Sequence, residues 1–148
     1  MKIILLILHF LLASMVTIVS ACILQTQMVL LELTKLDIQI SLSERLYMTW
    51  QDLVGLIPAY GTIITIGLAL GFGICKLIWR YTPLKSSILY VVAGGAVMAV
   101  ILIAMQPVLG VTLVAGARST LGILLQIAAG MLGGFCFLRL RNQQHSAK

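Results

Sequence analysis

Acidic residues are nearly missing from this chain. Glu32, Asp37, Glu44 and Asp52 are the only four, and all fall in one stretch, residues 25–52. None lies in the apolar runs on either side, so a proton relay at membrane depth would lack a carboxylate partner. Charge of either sign is scarce at 9% of residues, against ~25% in soluble domains. Hydrophobic residues make up 61% of the 148, and the mean hydropathy is +1.12. So little polar surface could not cover a water-soluble core, and the expected solvent is lipid. Histidine is limited to His9 and His145, in different segments. Cys22, Cys75 and Cys136 sit inside apolar runs without CxxC spacing. No metal site and no cofactor is expected, and the cysteines read as small buried hydrophobes. GxSxG, HExxH and P-loop patterns are missing, so the chain is not expected to be an enzyme. The net charge of +6 could suggest nucleic acid. The basic residues instead stand singly beside apolar runs, as topology signals do, and no nucleic-acid partner is expected.

What is present is a set of apolar runs that predicts an all-α fold: one membrane domain, a bundle of four transmembrane helices. The first run, about 3–24, follows Lys2 and carries only His9, Ser14, Thr17 and Ser20 as polar residues. At ~1.5 Å per residue it can cross a ~30 Å hydrocarbon core. His9 is expected to be neutral and hydrogen-bonded to a neighbouring helix. Within this run Val19-Ser20-Ala21-Cys22 resembles the cleavage box of lipoprotein signal peptides. That resemblance covers the first 22 residues and implies cleavage before a lipidated Cys22. The run continues through Ile23 and Leu24, where a mature lipoprotein turns polar, and an uncleaved first helix is the expectation.

Residues 25–56 are expected to form an extracytoplasmic connector; a partner-binding surface is the alternative. Leu36, Ile38, Ile40 and Leu42 alternate with polar residues as in a strand, but a lone strand is unstable, and the alternative is that the apolar Met28 to Leu33 prolongs the first helix beyond the bilayer. Ser41 with Glu44 reads as a capping box. Leu46, Tyr47, Trp50, Leu53 and Val54 at helical spacing predict a short helix in the headgroup layer. The second span, about 57–79, begins at Pro58 and carries Gly67 and Gly71, a GxxxG pair. A basic turn at 80–85, holding Pro83, leads to a third span at about 86–105 with Gly94, Gly95 and Ala99. Gln106 and Pro107 are expected to end it. Val108 to Ala117 is too short to span and too apolar for a soluble loop, so residues 106–118 read as an outer loop in the interface or re-entrant. Ser119 or Thr120 caps the fourth span, about 119–138, and a polar cytoplasmic tail follows at 139–148.

In the fourth span Gly122, Gln126, Gly130 and Gly134 recur every four residues, widened by Ala129 and Gly133. On a helix they form one face with a single amide in it. That face is expected to meet the Gly94, Gly95 and Ala99 patch, since lipid gives helices no hydrophobic drive to associate and close approach must supply the attraction. Gln126 reads as packing glue or as a lining residue of a path. Arg118 reads as a topology signal or as an anion contact.

With the N-terminus inside, Lys2, Lys76, Arg80, Lys85, Arg139, Arg141 and Lys148 are cytoplasmic, and Lys35, Arg45 and Arg118 are outside, which accounts for all ten basic residues. Tyr47, Trp50 and Tyr60 form an outer aromatic belt, and Trp79, Tyr81 and Tyr90 an inner one. The compartment expected is a bacterial inner membrane. The function expected is that of a non-catalytic accessory or assembly subunit, its partners the lipid bilayer and other membrane subunits or itself. The alternative is a small oligomeric transporter or channel lined by Gln126, Gln106 and Arg118.

Overall fold

The computed structural model describes residues 2–35, 40–81, 88–109 and 119–146, and all regular structure among them is helical. Helix α1 spans Lys2–Thr34, α2 Leu42–Leu56, and a π turn Ile57–Gly61 joins α2 to α3 at Thr62–Tyr81. Helix α4 spans Ile88–Leu109 and α5 Thr120–Ser146. Four helical stretches are long and apolar enough to cross a membrane: Ile4–Thr34, Leu42–Ile78, Ile88–Met105 and Thr120–Gln143.

The helices overrun the apolar spans that hydropathy marks. Helix α1 has 33 residues, about 50 Å at ~1.5 Å each, and continues ten residues past Leu24 to Thr34. Gln25, Thr26, Gln27 and Glu32 are polar but not helix-breaking, and neither glycine nor proline occurs in α1. Helix α5 likewise takes in Arg139, Arg141 and most of the polar tail. Helix α4 extends past Pro107 to Leu109. The expected re-entrant or interfacial stretch therefore begins inside α4, and the rest of it, with Arg118, lies outside the described residues. The expected strand alternation falls largely on residues 36–39, also outside them, while Leu42 opens α2.

Ser41 caps α2 with the reciprocal Glu44 contact, the Ser41 N–H donating to Glu44 Oε2 at 2.8 Å. At its other end α2 is not set off from α3. Leu56 (φ −89°, ψ −27°), Ile57 (−51°, −47°) and Thr62 (−64°, −45°) all keep helical backbone. Pro58 has no N–H to give the α ladder, and the widened π turn sits on that gap. The segment expected to lie apart in the headgroups is thus the continuation of α3 and packs along α1, with Leu53 and Leu56 against the core. Tyr47 and Trp50 are exposed on its outer side.

Each helix runs antiparallel to its neighbours. Phe10 meets Phe72, Ile18 meets Gly61, and Thr26 meets Asp52, which sets α1 against α3, the π turn and α2. Helix α5 packs on α4 and on α1, and α3 packs on the far side of α4, so the four stretches close into a ring. The core holds Ala13, Cys22, Ile64, Leu68, Met98 and Ala129 at its centre. Toward one end, Phe10, Phe72, Tyr90 and Phe137 come together from four different helices. Phe72 stacks on Phe137 at 4.8 Å and meets Tyr90 edge-on at 5.6 Å. Tyr90, expected in an aromatic belt, is a core residue here.

Candidate functional site

The glycine face of α5 divides between two partners. Gly130 and Gly134 face α4: a Cβ built on Gly134 would lie 2.9 Å from the Tyr90 carbonyl carbon and Val91 Cα, and one on Gly130 would overlap the Gly94 carbonyl. The relation is mutual, since a Cβ on Gly94 would lie 2.9 Å from the Gly130 carbonyl carbon and 3.3 Å from the Gly134 nitrogen. Gly133 turns toward α1, where a Cβ would meet the Ala13 oxygen at 3.0 Å and Thr17 Cβ at 3.1 Å. Helix backbones are in contact at both seams, and only glycine permits that approach. Gly122 is buried, and its N–H donates to the capping Ser119 hydroxyl at 3.1 Å. Gly95 sits beside Met131 and Ile127 side chains on the rim of the same seam.

Gln126 lies on the α1 side of α5 and is 1% exposed. Its Nε2 donates to the Ala21 carbonyl at 3.0 Å, and its Oε1 accepts from the Tyr60 hydroxyl at 3.1 Å. One amide thereby ties α5 to α1 and to the π turn. The π turn is what presents Tyr60: proline and the widened register turn that ring inward, where it is fully buried. Tyr60, expected in an outer aromatic belt, is the partner of Gln126. The amide is neutral and offers both a donor and an acceptor, and here each is used between helices.

A second polar contact lies further along α1. The Thr26 hydroxyl faces the Cys22 carbonyl oxygen at 3.0 Å and Asp52 Oδ2 at 2.9 Å, and its one proton is shared between them. Asp52 is half-buried against α1. Sequence reading placed it in a connector; the signal for it was its position five residues before Ile57 on a helix that proves continuous. Thr17 bonds back to the Ala13 oxygen at 3.0 Å within α1. Among the described residues His9 Nδ1, Ser14 Oγ and Gln25 Oε1 are buried with no hydrogen-bond partner. His9 was expected to bond to a neighbouring helix; its buried Nδ1 does not.

Gly67 and Gly71 lie at the α3–α4 seam, where a Cβ would meet side chains: Ile101 Cδ1 at 2.9 Å and Val97 Cγ1 at 3.0 Å for Gly67, and Val97 for Gly71. Of the trio expected to line a path, Gln126 is the member whose side chain is described, and both ends of its amide are engaged inside the bundle. Gln106 belongs to α4, its side chain outside the described residues, as is all of Arg118. Among the described residues the chain is all-helical, with four stretches long and apolar enough to span a membrane. No family model matches it, and no curated protein or solved structure does either.

Proposed function

We propose that this chain is an integral membrane protein that works without catalysis, as an accessory or assembly subunit that receives a transmembrane helix of another protein. The setting proposed is a bacterial inner membrane with both termini cytoplasmic. The C-terminal part of α1 and the start of α2 then stand on the outer side, with Tyr47 and Trp50 at the boundary of lipid and water. The observation that carries the reading is the use made of the buried polar groups: Gln126, Tyr60 and Thr26 are engaged with other helices of the same bundle, not with a path through it. A supporting one is a wholly apolar cleft of about 340 Å³ on the outer side of α3 and α4, over Gly67 and Gly71 and flanked by Leu70, Ile74, Ala96 and Val100. Packed small residues beside exposed aliphatic knobs are what helix association in lipid uses.

Native mass spectrometry in mild detergent tests this. A hetero-complex that Ala96→Phe disrupts, with thermal unfolding of the chain unchanged, is the expected result; Ala96 is exposed and lines the cleft. A symmetric homo-oligomer carrying a small molecule would overturn it in favour of transport. A cytoplasm-dependent reporter should work after Lys148 and fail after Ser43; the reverse pattern overturns the orientation.

A further inference from the structure

Beside the aromatic cluster lies a cavity of about 410 Å³, bounded by α1, α3, α4 and α5. Its floor is the rings of Phe10, Phe72, Phe137 and Tyr90, and its open side is edged by Leu6 and Ile7 of α1. On α3, a Cβ built on Gly73 would meet nothing within 4 Å, so the helix itself leaves room there. Two cations from different helices sit at the rim, Lys76 of α3 and Arg141 of α5. The guanidinium is positioned: Nη1 of Arg141 donates to the Tyr90 hydroxyl at 2.6 Å, and its carbon lies 5.3 Å from that ring's centre. Two positive side chains thus face one apolar, aromatic-floored cleft.

We propose that this cavity binds an anionic amphiphile, a phosphate-bearing membrane lipid. Its head is held between Lys76 and Arg141, and its chain lies along Gly73, Leu6 and Ile7. A guanidinium fixed by a hydroxyl and a ring loses little freedom on meeting a phosphate, and a lysine on a flexible stem adjusts to the second oxygen. Basic pockets between membrane helices recognise anionic headgroups on this principle. The apolar floor favours a lipid over a free anion, which would gain nothing from the rings.

The test uses the full chain in mild detergent, with native mass spectrometry against phosphatidylglycerol and phosphatidylcholine. The wild type should retain phosphatidylglycerol preferentially. Lys76→Gln should lower that retention by about tenfold, the size of one charge-assisted contact. Gly73→Leu keeps both charges and fills the cleft, and should lower retention of phosphatidylglycerol while thermal unfolding stays at or above wild type. Arg141→Gln should also release the lipid, but it loses the Tyr90 contact as well, so the first two variants decide. Equal retention of the two lipids, or unchanged retention in both Lys76→Gln and Gly73→Leu, overturns the proposal. Displacement of the lipid by millimolar inorganic phosphate overturns the assignment to a lipid and makes this a site for a soluble anion.

Discussion

The α4–α5 seam and the α3–α4 seam are both built on glycines four residues apart, and they are different objects. At the first, glycine meets glycine: Gly94 and Gly130 set one backbone against the other. At the second, Gly67 and Gly71 make room for the Val97 and Ile101 side chains of α4. A carbonyl on a hydrogen-bonded helix cannot move aside, whereas the end of an isoleucine can rotate. The same spacing therefore gives a rigid joint in one place and an adjustable one in the other. The adjustable joint borders the apolar cleft on the outer surface, while the amide of Gln126 belongs to neither: it joins α5 to α1 and to the π turn.

The sharpest way to break the comparison is Gly130→Leu. Its side chain would have to displace the Gly94 backbone and Met98, and overpacking of that kind costs ~1–3 kcal/mol or more. We expect the largest fall in thermal unfolding temperature in detergent here. A Gly130→Leu protein as stable as wild type would show that the two helices are not held this close. Next is Gln126→Leu, which keeps the bulk but leaves the buried Tyr60 hydroxyl without its acceptor. A loss of ~0.6–2 kcal/mol is expected, and Tyr60→Phe made in the same background should add little, which a double-mutant cycle would read directly. The smallest effect is expected for Gly67→Ala: the terminal methyl of Ile101 can swing away, the stiffer Val97 has only to give by a few tenths of an ångström, and the helix gains up to ~1 kcal/mol from the better helix former, so the net change should stay within ~1 kcal/mol. Leu124→Ala is the control, since Leu124 points away from every seam and is 58% exposed. If Gly67→Ala proved as damaging as Gly130→Leu, the distinction between the two seams would fail.

Much of this was legible before any coordinates. Apolar runs interrupted by Pro83 and by short polar stretches mark helices, because backbone in lipid must satisfy its own hydrogen bonds. The Ser41 and Glu44 pair announces the start of α2, since capping is a local contact between residues three apart. The four-residue recurrence of Gly122, Gln126, Gly130 and Gly134 defines a face by helix geometry alone. Other features were out of reach. The continuation of α1 through Met28 to Leu33 was one of two readings the sequence left open, whereas the polar residues at 139–146 read as a tail, yet polarity marks where a helix leaves lipid, not where it stops. Tyr60 and Trp50 look alike in the sequence, as aromatics near an apolar run, and one is fully buried while the other is 64% exposed.

The chain's own composition determined that it is helical, that it suits lipid, and which face of α5 is small. These depend on backbone chemistry and on spacing within one segment. Only the tertiary structure decided that Gly130 meets Gly94 while Gly133 meets Thr17, that Tyr60 is the hydroxyl bonded to Gln126, and that Lys76 and Arg141 share one cavity floored by rings from four helices. Those pairings turn on how far each helix is rotated about its axis and slid along its neighbour. No property of a single segment contains that information, because it is set by the fit of two surfaces that are distant in sequence.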